Sequence, residues 1–159
     1  IHLCRYALNH DIKATSRTVN VDGDNSEWQN TDDALYFCKD ASTDATLRCA
    51  ADDKNLYILL EVSSIRLSSS DYMTVAVGSS SSSSASVKIK VGPIISSSSD
   101  KSVTAVSAYG GTLTDDSDID TGWLAEIAIP LASLNTSSGK VSVSASFDDN
   151  PKDSILCSL

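Results

Sequence analysis

The feature that most constrains this chain is a period-two alternation of apolar and polar residues in short, β-branched segments. Residues 45–50, 56–62, 72–77, 87–91, 103–109, 123–129 and 141–147 each read as a strand. In 87–91, valine and isoleucine alternate with Lys88 and Lys90, so one face is apolar and the other charged. Serine, glycine, aspartate and asparagine separate the segments and supply the turns. No stretch holds a 3.6-residue period. The one helical signal is 130–134, where Pro130 suits the first position of a short turn. The pattern predicts an all-β chain: a two-sheet antiparallel β-sandwich, immunoglobulin-like or jelly-roll-like, with minimal helix. Its 159 residues suit one domain. Residues 1–18 read as an N-terminal extension or arm, 19–150 as the sandwich and 151–159 as a C-terminal tail.

Four cysteines, Cys4, Cys38, Cys49 and Cys157, form no C-x-x-C pair, which argues against a zinc ribbon. Their even number fits two disulfides in an oxidising compartment. Cys38 and Cys49 are symmetric about the turn-like stretch 39–44, so a hairpin would set them opposite each other. Cys4 and Cys157 lie near the two ends, which often meet in compact domains. The expected pairs are therefore 38–49 and 4–157. One rival is that Cys4 and Cys157 bond neighbouring subunits; the other is that all four are reduced, buried thiols.

Serine accounts for 30 residues, clustered at 68–70, 79–84 and 96–99, between expected strands. Such tracts offer little apolar area to offset their ordering entropy and read as flexible loops. Their hydroxyls, Ser79, Ser80, Ser81, Ser82, Ser96 and Ser97 among them, are candidates for O-linked sugars. Asn135-Thr136-Ser137 is an N-glycosylation sequon.

The net charge of −9 repels phosphate backbones, so nucleic acid is not an expected partner. No apolar run reaches the ~20 residues a membrane helix needs. The chain opens on Ile1 without a signal-like apolar run, and is read as a mature secreted or cell-surface chain.

Catalytic constellations are absent from the pattern. Only His2 and His10 could serve a serine nucleophile as base, both lie in the N-terminal extension, and no G-x-S-x-G elbow occurs. Asp32-Asp33, Asp52-Asp53, Asp115-Asp116 and Asp148-Asp149 are adjacent pairs. On a strand such neighbours face opposite ways and build no acid/base dyad. The expectation is a chain that is not an enzyme and has no organic cofactor. Met73, the single methionine, sits in an apolar strand and reads as core rather than haem ligand. Calcium is the one candidate ion. Asp116, Asp118 and Asp120 have the spacing that wraps it, without the glycine and glutamate of an EF-hand. Asp22 and Asp24 offer a second oxygen cluster. Sugar binding usually needs exposed rings, and most of Trp28, Trp123, Tyr6, Tyr36, Tyr57, Tyr72, Tyr109, Phe37 and Phe147 fall within alternating strands.

Several segments, in order, resemble the carbohydrate-binding module family 9-like sandwiches, close in fold to DOMON domains. Asp22-Gly23-Asp24-Asn25-Ser26-Glu27-Trp28 resembles the family's Asp-Gly-x-x-x-Glu-Trp opening. Asp52-Asp53-Lys54-Asn55-Leu56-Tyr57 is similar to its turn and Leu-Tyr strand, and Asp71-Tyr72-Met73-Thr74-Val75 to its Asp-x-hydrophobic strand. Trp123-Leu124-Ala125-Glu126-Ile127-Ala128-Ile129-Pro130 resembles its aromatic-x-x-Glu-x-x-Ile-Pro strand. Ser146-Phe147-Asp148-Asp149-Asn150 falls where its closing strand ends. The likeness spans residues 19–150. It implies two packed sheets with Trp28 and Trp123 as structural anchors, and Glu126 is placed to satisfy backbone donors nearby. The sugar-clamping tryptophans of true binders have no counterpart here.

Two functions follow. The first is a non-catalytic, secreted structural or adhesive domain, open to glycosylation, that forms homo-oligomers or a polymer through its N-terminal arm. The alternative is a glycan-binding module of the family 9-like type.

Overall fold

The computed structural model describes residues 10–81, 85–114, 117–151 and 153–159. Two six-stranded sheets face each other across one apolar core. In the first sheet the order is β1 (Ile12–Lys13), β12 (Ile155–Ser158), β11 (Lys140–Ser146), β6 (Met73–Ser79), β7 (Ala85–Val91) and β8 (Ser96–Ser98). In the second it is β2 (Thr15–Ser16), β4 (Thr43–Ala51), β5 (Asn55–Ser64), β10 (Gly122–Pro130) and β9 (Thr104–Gly110), with β3 (Leu35–Asp40) also on β4. A 3-10 turn over Leu131–Ser133 follows Pro130, the short turn that the sequence predicts.

The sandwich predicted from alternation is the fold observed, with two differences. The sheets are mixed: β1 pairs parallel with β12 and β2 parallel with β4. The framework also extends past 19–150, since residues 12–16 and 155–158 contribute strands to it. These segments are too short to show a period, and only their tertiary partners make them strands. Residues 96–98, expected to be loop, likewise supply β8 on the β7 edge.

Aspartates set the turns. Asp52 Oδ1 accepts the N–H groups of Lys54 and Asn55 at 2.8 Å each, closing the β4–β5 hairpin. Asp40 Oδ1 accepts the Ser42 N–H at 2.8 Å and tightens the β3–β4 turn at residues 41–42. That turn falls earlier than the symmetry of Cys38 and Cys49 suggests. In the resulting register Cys38 pairs with Asp44, while Cys49 pairs across β5 with Ile58.

The expected Cys38–Cys49 bridge is therefore overturned. The two residues lie five positions out of register, roughly 17 Å along the strand. Cys49 and Cys157 are buried free thiols, so the expected 4–157 bond is overturned too. Cys38 is disulfide-bonded. Cys4 lies outside the described residues.

Inward positions alternate as the sequence implies. Leu47, Cys49, Ile58, Leu60, Ala125, Ile127 and Ile129 meet Met73, Val75, Val77, Val87, Ile89, Val141 and Val143. Met73 is fully buried among them. No helix of the described residues is long and apolar enough to cross a membrane.

Candidate functional site

Because inward residues alternate with outward ones, the second sheet has an outer face that should be polar. It is not uniformly so. Tyr57, Leu59, Leu124 and Ala128 lie on it, together with Glu126, which sits opposite Leu59 on β5 and Val106 on β9. A bare sheet would leave these apolar groups in water. The segment leading into β3 covers them instead. Val19, Trp28, Ala50, Tyr57 and Leu59 form a second buried cluster, with Val21, Leu124 and Ala128 packed at its margin.

Glu126 is the centre of this plug. It is 0% exposed. Its Oε1 accepts the N–H groups of Asp22 (3.1 Å) and Gly23 (2.9 Å), and its Oε2 accepts Trp28 Nε1–H at 3.0 Å. Gly23 has φ +83°, a conformation that β-carbons resist, and a β-carbon there would crowd the Val106 side chain. Asp22 Oδ1 accepts the Asp24 N–H at 2.9 Å, and Glu27 Oε2 accepts the Asn20 N–H at 2.8 Å. Asp22, Gly23 and Trp28 of the Asp-Gly-x-x-x-Glu-Trp segment thus converge on one carboxylate, 98 to 104 positions away in sequence. Tyr57 donates its O–H to Asp52 Oδ2 at 2.7 Å and joins the plug to the hairpin turn. That hydroxyl, with the Lys54 and Asn55 N–H groups and the Thr18 hydroxyl, holds the Asp52 carboxyl far below the usual carboxylate range against a burial effect that would raise it.

The plug covers only half of the face. Beyond Leu124 an open cleft of about 570 Å³ runs across β3, β4, β5 and β10 to the 108–110 end of β9. Its floor is a cross-strand row, Tyr36–Thr46–Glu61–Leu124–Ala108, one residue from each strand. Arg48 lies diagonal to Glu61 and donates from Nη1 to Glu61 Oε1 at 3.1 Å. Asn25 of the plug donates to Glu61 Oε2 at 3.0 Å. Arg48 is 8% exposed, yet its Nε–H has no protein acceptor among the described residues. Tyr36 is 48% exposed at one end, and Asn30 and Asp44 complete the rim. Tyr109 is also exposed, but it is in register with Trp123, so alternation assigns its ring to the other side of the sheet.

The other residues singled out by the sequence fall elsewhere. Trp123 is buried in the main core, and Pro130 ends β10 opposite Asn55. Asp120 is buried; its Oδ1 accepts the Thr112 N–H and its Oδ2 the Leu67 N–H, at 2.9 and 2.7 Å. Gly111 makes room for it, since a β-carbon there would overlap Asp120 Oδ1. Asp118 accepts the Thr112 hydroxyl, and Asp116 lies outside the described residues. Among the described residues, no group of three His, Cys, Asp or Glu side chains is placed to hold a metal ion. Asn135 is exposed and its Oδ1 accepts the Ser137 N–H. Ser79 and Ser81 share a hydrogen bond, as do Ser80 and Ser138. Ser96 and Ser97 belong to β8, and Ser82 lies outside the described residues. The Tyr72 ring is covered by Lys90, with Nζ 3.8 Å from its centroid.

The sequence pattern does not mark the cleft residues Tyr36, Arg48 and Glu61 as a site. A signal was nonetheless present: Arg48 and Glu61 are the charged residues inside strand segments 45–50 and 56–62, and both take outward positions.

At the sequence level no family model matches the chain, and no curated protein matches it. The likeness is structural. Two solved structures of a carbohydrate-binding module family 9 (CBM9) from Caldicellulosiruptor kristjanssonii resemble it. The one in complex with cellotriose has 17% identity and a TM-score of 0.62, covering 85% of this chain and 74% of that one. The one in complex with glucose has 15% identity and a TM-score of 0.63, covering 85% and 76%. The protein has a CBM9-like β-sandwich fold.

Proposed function

We propose that this protein is an extracellular glycan-binding module and that the open half of the second sheet's outer face is its sugar site. The observation that carries the reading is the pairing of a half-exposed ring, Tyr36, with the Arg48–Glu61 ion pair, whose carboxylate solvent still reaches, in one cleft. A pyranose presents both chemistries. Its C–H face packs on an aromatic ring, and its hydroxyls accept from Arg48 while donating to Glu61 or Asp44. The cleft volume is in the ordinary range for a small-ligand site. The fold supports the same reading, because the two similar structures are of modules bound to cellotriose and glucose. Fold and cleft together weigh for glycan binding over the structural or adhesive role that the serine-rich loops favour.

Calorimetric titration with glucose, cellobiose and cellotriose at millimolar concentration tests it, since a weak module binds in that range. Saturable heat that disappears in Arg48→Met is expected. Absence of binding to any of these sugars and to polysaccharide would remove the proposal.

A further inference from the structure

Cys49 and Cys157 are distant in sequence and sit on opposite sheets, yet they point at each other. Cys49 is at an inward position of β4, level with the fully buried Ile58. Cys157 is at an inward position of β12, level with the fully buried Val141. Both belong to the main core cluster, and the Cys157 thiol lies near enough, with burial, to push the Cys49 thiol pKa up. The backbone explains the close approach. Ile12 pairs with Cys157 in the first sheet, and only three residues later Thr15 pairs with Ala50, next to Cys49, in the second. Three extended residues span at most about 10 Å, so the chain pulls the two sheet edges together at this point.

We propose that Cys49 and Cys157 form an inter-sheet disulfide in the oxidised protein, locking the C-terminal strand β12 to β4. A disulfide such as oxidised glutathione is the electron acceptor. The thiolate of one cysteine attacks it, forming a mixed disulfide and releasing one glutathione thiol. The second thiolate then attacks the protein sulfur and releases the other. Two S–H bonds are lost, one S–S bond forms, and the reagent's S–S bond is reduced to two thiols. Neither sulfur is exposed in the folded chain, so the exchange belongs to folding, before the edge closes. Cys38 does not compete, being already disulfide-bonded. The inference stands apart from the sugar site and does not depend on it.

The test is to refold the full chain from denaturant in a glutathione redox buffer, quench it, alkylate in denaturant without reductant and map the peptides. A reductant-sensitive link between the peptides that contain residues 49 and 157 is expected. Its loop is long, so the thermal midpoint of the linked form should exceed that of the Cys49→Ala/Cys157→Ala variant by roughly 10 °C. Recovery of both cysteines fully alkylated, or either one linked to another cysteine or another chain, overturns the proposal. The map is made on the unaltered chain, so the outcome holds even if the variant fails to fold.

Discussion

One face of one sheet carries two glutamates with opposite fates. Glu126 is sealed beneath the Asp22–Trp28 plug, and three donors use its oxygens. Glu61, two positions off along the neighbouring strand, stays about one-third exposed beside Arg48. The sheet geometry is the same for both; the covering segment differs. Where the plug lies, the carboxylate is structural and the surface is closed. Where it ends, at Leu124 and Asn25, a charged pair and a half-exposed tyrosine line an open cleft. An exposed ring and an ion pair that solvent still reaches are free to meet a ligand, which is the physical reason for proposing binding at the open half. The sealed carboxylate, with both oxygens in use, stabilises the closed one.

The sharpest way to break the comparison is to remove Glu126. Glu126→Ala leaves Trp28 Nε1–H and two backbone donors buried without an acceptor. It should cost about 3–5 kcal/mol in urea unfolding. A loss below ~1 kcal/mol would show that the plug does not depend on this carboxylate. Arg48→Met tests the other half. Sugar affinity should fall by about tenfold or more, the value of a charge-assisted hydrogen bond, while the urea midpoint changes little. An unchanged affinity, or collapse of the fold, would mean Arg48 is itself structural. A smaller effect is expected at Tyr36: Tyr36→Ala should weaken binding about three- to tenfold and Tyr36→Phe hardly at all, because the ring face is what packs on sugar.

The smallest effect concerns the rim of the plug. The folded Asp52 carboxyl is depressed, so its contribution is present above the ordinary aspartate value near 3.9 and fades as pH falls through that value toward the folded one. Asp52 is a surface turn residue, and the contribution is modest. Asp52→Asn should lower stability slightly at about pH 6, with the gap to the parent chain narrowing by about pH 3. A gap that widens on acidification would contradict the sign.

Much of the closed half was legible in the sequence. Alternation marked seven strands, and the Asp-Gly-x-x-x-Glu-Trp segment and the Trp-x-x-Glu strand marked the partners that meet at Glu126. Those features are local: a glycine at positive φ, an aspartate that caps its own turn, an apolar residue at every second position. The open half was less visible, since Arg48 and Glu61 are ordinary outward residues until their strands are laid side by side. The terminal strands were invisible, because two to four residues carry no period and gain their conformation from β4, β11 and each other.

The cysteines show the boundary most sharply. The presence of four thiols, and the chance to form bonds among them, can be read straight from the chain. Which of them meet depends on register. The β3–β4 turn, where Asp40 accepts from the Ser42 N–H and hydroxyl, falls early, and in that register Cys49 lies away from Cys38. The β-sandwich, its apolar faces and the motif that plugs one of them are all written in the residue order, because short-range chemistry specifies them one position at a time. How far the plug reaches, which charged pair it leaves open, and that Cys49 faces Cys157 were settled only once the chain had packed. Cys49 and Cys157, and Trp28 and Glu126, meet across about a hundred residues of sequence, and no local pattern records such a meeting.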